Sequence, residues 1–204
     1  MPLPIDVRDR ELRAPERFDI EAGYRTELEG ILLSRGELED GVSRLAAAVT
    51  DAYRGNPDFY PVCVLKGAMR FFVDLLRELD LGVPYSEGMV YSSRYQSGPI
   101  TETPAMAFFQ EEHLAGKDVL LVEDVLDEGY TLSALRERIE AFNPASVEIA
   151  TLFDVTSNRQ VEVDPTFDGF VLPDGFLVGY GLDYEERYRD LPHLAVLDPA
   201  VVDG

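Results

Sequence analysis

Hydrophobic residues recur along this chain in two rhythms. In "GELEDGVSRLAAAVTDAYRG" (36–55), Leu38, Val42, Leu45, Ala46 and Val49 fall three or four apart, the spacing of one helix face. "AMRFFVDLLRELDLG" (68–82) repeats the spacing with Phe71, Leu75 and Leu79. "TLSALRERIEAFNP" (131–144) repeats it with Leu132, Leu135, Ile139 and Phe142, and Asn143-Pro144 stops that helix. Between the helices stand short apolar runs that read as strands: "FYPVCVLKG" (59–67), ending at a Lys-Gly turn, "EGMVYSSRY" (87–95), "KDVLLVEDV" (117–125) and "SVEIATLFDV" (146–155). The run at 117–125 shows no polar alternation, as expected of a strand covered on both faces. The order is β-α-β, then β-loop-β-α-β, with "QSGPITETP" (96–104) as a flexible loop. It predicts an α/β fold with a mainly parallel sheet flanked by helices.

The chain ends fit that pattern less well. Residues 1–30 are mixed and Pro-bearing, and read as an arm lying on the body. The stretch "VDPTFDGFVLPDGFLVGYGLDY" (163–184) is rich in aromatics, Gly and Pro and reads as an annex over one sheet edge. The 204 residues fit a single domain, with a core at about 35–155 and a small hood from about 1–34 and 156–204.

Composition narrows the function classes. The net charge of −21 opposes binding to nucleic acid through phosphate neutralisation. Of the 18 basic residues, Lys66 and Lys117 are the two lysines. Strong acidity with scarce lysine has two open readings: a surface adapted to salt, or a GC-rich genome that writes Arg for Lys. No segment approaches the roughly 20 apolar residues of a membrane span, and the polar N-terminus does not read as a secretory signal, so a cytoplasmic protein is expected. Cys63, the sole cysteine, sits in "YPVCVL", where a buried inert thiol is expected.

Candidate chemistry centres on "VLLVEDVLDEGYTLSAL" (119–135). Glu123 and Asp124 close an apolar strand, and ligands of open α/β sheets sit beyond the carboxyl ends of strands. Asp127 to Thr131 form the turn into a helix, whose unpaired N–H groups and dipole suit a phosphate. Gly129 permits close backbone approach and Thr131 adds a hydroxyl. The two carboxylates can accept hydrogen bonds from sugar hydroxyls or hold Mg²⁺ through water. A sugar phosphate suits the combination; an ordinary acidic loop is the alternative.

"VLLVEDVLDEGYTL" resembles the phosphoribosyl-diphosphate (PRPP) motif of type I phosphoribosyltransferases, and more narrowly that of the hypoxanthine-guanine phosphoribosyltransferases. "VCVLKGAMRFFVDLLREL" resembles their pyrophosphate loop and following helix, and "FLVGYGLDYEERYRDLPHLAVL" their C-terminal segment. The blocks occur in family order, and the likeness runs loosely from about residue 25 to 198. It implies the type I phosphoribosyltransferase fold and transfer of a 5-phosphoribosyl group from PRPP to a purine base, releasing pyrophosphate and purine nucleotide. It implies that Glu123 and Asp124 bind the ribose hydroxyls and a Mg²⁺ ion, and that Asp127 is the general acid/base facing purine N7. The backbone of Asp127, Glu128, Gly129, Tyr130 and Thr131, with the Thr131 side chain, would hold the 5′-phosphate. Lys66 and Gly67 would form the pyrophosphate loop, with a non-proline cis peptide before Lys66, and Arg189 would contact pyrophosphate. Phe176 would stack on the base, the Leu177 backbone would read its edge, and Asp183 would bind a second Mg²⁺. The loop around Arg94–Thr103 would close over the site. A homodimer or homotetramer is implied.

Four positions depart from the family pattern. Glu128 stands where Thr or Ser is usual, Tyr130 where a smaller or basic residue is usual, and Arg94-Tyr95 where Ser-Tyr is usual. Val155, preceded by Asp154, stands where the family places a Lys that donates to the purine 6-oxo group. Arg159 or Arg94 could replace that donor. The departures leave open a different acceptor base, or a non-catalytic PRPP or nucleotide sensor on the same fold. Asp127 favours an enzyme, because a sensor needs no acid/base.

Overall fold

The computed structural model describes residues 3–93, 105–109 and 111–202. Its strands are β1 (Ile5–Asp6), β2 (Leu28–Leu33), β3 (Phe59–Leu65), β4 (Gly88–Ser93), β5 (Ala105–Phe109), β6 (Asp118–Leu126), β7 (Ser146–Asp154), β8 (Phe167–Val171), β9 (Leu177–Val178) and β10 (Leu194–Leu197). Its α-helices are α1 (Ala22–Arg25), α2 (Arg35–Tyr53), α3 (Met69–Glu78), α4 (Tyr130–Glu140) and α5 (Pro199–Val202). The large sheet has the order β1-β8-β7-β6-β3-β4-β5. All its pairings are parallel except β4 with β5. It is the mainly parallel, helix-flanked α/β sheet that the apolar rhythms predict.

Why β6 lacks polar alternation is now plain. Leu120 and Val122 face the cluster that takes in Leu38, Val42, Leu45 and Val49 of α2 with Phe71 and Leu75 of α3. Val119 and Leu121 face the opposite cluster, with Leu132, Leu135 and Ile139 of α4. Helices therefore cover both faces of the sheet, and every side chain along the middle of β6 is buried. Cys63 is fully buried in β3, and burial pushes its thiol up to about 12, so it is inert at neutral pH.

Three features differ from the expectation. First, β5 pairs antiparallel with β4 at the sheet edge, where the rhythms gave no strand. Second, α3 ends at Glu78, so Leu79 follows the helix as an extended residue rather than completing its apolar stripe. Third, the large sheet does not stop near residue 155: β8 lies parallel to β7, and β1 lies parallel to β8. The segment from β7 to β8 crosses over without an α-helix, so no 3.6-residue period marks it. The small second sheet, β2-β10-β9, is antiparallel and built from both ends of the chain. It has its own apolar cluster, including Ile20, Leu28, Ile31, Val178, Tyr188 and Leu191.

The N-terminal arm is tied to the start of α2. Ser34 and Glu37 form a reciprocal capping box, with the Ser34 N–H donating to Glu37 Oε2 at 2.8 Å. The same carboxylate accepts from Arg10 at 2.7 Å and from Arg13 at 2.6 Å.

Candidate active site

A cavity of about 870 Å³ opens beyond the carboxyl ends of β3, β6 and β7. Its walls include Glu123, Asp124, Asp127, Glu128, Gly129, Tyr130 and Thr131 from the end of β6 and the turn into α4. Lys66 and Gly67 come from the loop after β3, and Val155 from the end of β7. Phe176, Leu177, Asp183 and Arg189 come from the tail. Every site residue expected from the sequence thus lines one cavity. Arg94 and the expected closing loop to Thr103 lie outside the described residues.

The acidic pair sits inside β6, which continues through Val125 to Leu126. Glu123 and Asp124 are both buried. Burial pushes the Glu123 carboxyl up, and the neighbouring Asp124 adds to that. Burial also raises Asp124, against hydrogen bonds from Glu123 and the Val125 N–H and the field of Arg189. Two buried acids with few protein donors suit a ligand that brings hydroxyl donors or a cation.

Gly67 is wedged against this pair. A Cβ at Gly67 would lie 1.9 Å from Asp124 Oδ2, and a Cβ at Gly181 would lie 2.2 Å from the Gly67 carbonyl oxygen. The loop after β3 therefore passes between a carboxylate and the tail backbone only because both positions lack side chains. The Leu65–Lys66 peptide is cis, as the family resemblance implies.

The turn after β6 leads into α4 through Gly129, whose φ of 93° places it in the left-handed region. Gly129 stands at the N-cap and offers no side-chain cap of its own, and the first turn of α4, with Tyr130 and Thr131, opens on the cavity. The turn is braced from behind: the N–H groups of Gln160 and Val161 both donate to the Glu128 carbonyl at 3.0 Å.

Asp127 has neighbours of opposing effect. Burial pushes its carboxyl up; a hydrogen bond from Asn158 holds it down, and the charges of Glu128 and Asp174 raise it further. The Asn158 amide also donates to Asp174 at 3.2 Å, so the three residues form a chain. Asn158 and Asp174 were not expected from the sequence. They lie in irregular segments with no periodic or motif signal. Phe176 presents an apolar ring that is 56% exposed, edge-on to Tyr184 at 6.3 Å. It is a platform on the cavity wall rather than a core residue.

Val155 is buried, and its N–H donates to the Leu126 carbonyl at 3.0 Å. Arg159 is not available as a substitute donor. Its guanidinium pairs with Asp154 and donates to the Val163 carbonyl at 2.6 Å. Arg189 pairs with Asp183 at 2.7 Å and donates to the Gly181 carbonyl at 2.9 Å. It is an internal member of the site rather than a surface ion-pair residue.

Among the described residues no three His, Cys, Asp or Glu side chains converge to hold a metal ion. The donor set instead fits Mg²⁺, which binds through one or two carboxylates plus substrate phosphates and retained waters. Glu123, Asp124 and Asp183 all face the cavity and could serve in that way. No helix among the described residues is long and apolar enough to cross a membrane.

A mainly parallel sheet with a buried acidic pair in β6, a glycine at the N-cap of α4 and a cis peptide before Lys66, all on one cavity, defines a class of transferase. The profile of the phosphoribosyl transferase domain family matches residues 31–185, and the chain belongs to that family, on its hypoxanthine-guanine branch. The hypoxanthine-guanine phosphoribosyltransferase of Bacillus subtilis is 37% identical over 183 residues, covering 87% of this chain and 98% of the relative. The hypoxanthine phosphoribosyltransferase of Salmonella typhimurium is 37% identical over 166 residues, covering 80% of this chain and 92% of the relative. The crystal structure of a hypoxanthine phosphoribosyltransferase from Staphylococcus aureus superposes with a TM-score of 0.81 at 31% identity, covering 90% and 98% of the two chains.

Proposed function

We propose that the chain transfers the 5-phosphoribosyl group of PRPP to a purine base, hypoxanthine or guanine, releasing pyrophosphate and the purine nucleotide for salvage. The carrying observation is the single cavity. It gathers two cations, a buried acidic pair, a helix N-terminus with glycine at its cap, an exposed aromatic ring and a carboxylate of raised proton affinity. Each part matches one portion of the reacting pair. The N-terminus of α4, with Thr131, receives the 5′-phosphate. Glu123 and Asp124 accept hydrogen bonds from the ribose hydroxyls. Lys66 and Arg189 meet the diphosphate, Phe176 stacks on the base, and the Leu177 backbone reads its edge. Asp127 takes the purine proton as the base nitrogen bonds to the ribose carbon and the bond to diphosphate breaks.

Mg²⁺, when bound, supplies positive charge to the diphosphate leaving group. Lys66 and Arg189 alone leave much of that charge unmet. The reading carries with it a cytoplasmic enzyme that forms a homodimer or homotetramer.

Val155 favours a second reading, a different acceptor base. An apolar side chain stands where the family pattern has a cation, and Arg159 is held by Asp154. One experiment separates the two: pyrophosphate release from PRPP in the presence of each purine and pyrimidine base, with Mg²⁺ and with EDTA. Release with hypoxanthine or guanine, abolished by EDTA, is the expected result. Release with another base alone would replace the acceptor. No release with any base would leave a nucleotide sensor.

A further inference from the structure

The segment that follows Asp183 makes an unusual turn. Tyr184 and Arg187 exchange backbone hydrogen bonds of 3.3 and 3.0 Å, and the two residues between them, Glu185 and Glu186, have φ of 53° and 64°. Tight turns with two left-handed central residues ordinarily carry Asn-Gly. Glutamates there crowd their β-carbons against the backbone. What the turn achieves is the placement of one side chain. The Glu186 N–H donates to Asp183 Oδ2 at 2.9 Å, and its carboxylate lies 3.0 Å from Lys66 Nζ and 3.5 Å from the Arg189 guanidinium.

Lys66 and Arg189 are the two Lys or Arg side chains among the described residues that line the cavity. Both are already engaged by carboxylates: Lys66 by Glu186, Arg189 by Asp183 and Glu186. The two carboxylates differ in freedom. Asp183 is 29% exposed and Glu186 is 65% exposed, so Glu186 is the one that a ligand can push aside.

Resting on the reading of Lys66 and Arg189 as the diphosphate-binding pair, we infer that Glu186 is an internal stand-in for the leaving diphosphate. Its carboxylate holds the cation pair in the empty site, is displaced when PRPP or pyrophosphate arrives, and returns as pyrophosphate departs. Glu186 thereby weakens the binding of both diphosphates and sets the release of product. The lysine and arginine never stand unpaired, and the net affinity reflects exchange of one anion for another.

Calorimetry of the full chain with inorganic pyrophosphate and Mg²⁺ tests this directly, without a purine. Glu186→Gln should bind pyrophosphate roughly 2- to 5-fold more tightly than the wild type, the factor expected for an exposed ion pair. The Michaelis constant for PRPP should fall by a similar factor. Glu185→Gln, which removes the same charge from the same turn, should leave both unchanged. A gain in affinity is not something that structural damage produces. Unchanged or weaker pyrophosphate binding by Glu186→Gln, or equal tightening by Glu185→Gln, would overturn the inference alone. Failure of the wild type to bind pyrophosphate would overturn the diphosphate reading as well, and the inference with it.

Discussion

Asp127, the proposed acid/base, sits among groups that pull its proton affinity in opposite directions. Burial raises its proton affinity, Asn158 restrains it, and the charges of Glu128 and Asp174 raise it again. A base that must be ionised to accept a proton then loses activity as pH falls through that raised value. The acid limb of the pH–rate profile should lie above the ordinary aspartate range. Asp127→Asn should lower turnover by roughly 10²- to 10⁴-fold, the usual share of general acid–base catalysis. Steady-state kinetics checks the rate, and calorimetry with PRPP should show binding largely kept. Near wild-type turnover would remove Asp127 from the mechanism. Glu123, Asp124, Asp127 and Gly129 were legible in the sequence because they are contiguous and follow an apolar strand. Asn158, Asp174 and Glu186 were not, because each gains its meaning from a partner distant in the chain or from a backbone twist that composition does not record.

At the scale of elements, α2 is fastened by its first turn as well as by its apolar face. Burial opposes the charge on Glu37, but hydrogen bonds from Ser34 and Arg13 and the Arg13 charge prevail and bring its carboxyl down to about 2. The folded value lies below the unfolded one of about 4.5. The stabilisation is therefore complete above about pH 4.5 and lost as pH falls towards 2. Glu37→Gln should cost about 1 kcal/mol at neutral pH, the ordinary scale of a capping interaction whose ion pairs water screens. Thermal unfolding at pH 7 and at pH 3 should show the gap between variant and wild type narrowing in acid. A constant gap would contradict the assignment. The helices α2 and α4 and the strands β3, β6 and β7 were legible because their periods report burial on one face or two. The edge strand β5 was not, since a run of five residues is too short to show a period of its own. Nor were β8 and β1, which pair across the length of the chain.

For the molecule as a whole, a net charge of −21 means that the folded state repels itself. Raising KCl from 0.1 to 1 M shortens the screening length from about 10 to about 3 Å. The melting temperature should rise by several degrees over that range, followed by scanning calorimetry; a flat or falling profile would show that self-repulsion is not a significant term. Gly67 has a further meaning at this scale. It is held between Asp124, at the centre of the large sheet, and Gly181, in the tail. A growing polypeptide that has reached β7 already owns the acidic strand end and the turn into α4. It does not yet own Gly181, Asp183 or Arg189. The cavity wall that includes Asp183 and Arg189, proposed to meet the diphosphate, is complete only when the chain has reached residue 189. Under the proposed function, a chain long enough to carry Arg189 already carries Phe176, so the wall proposed to meet the diphosphate is never made ahead of the ring proposed to stack on the base.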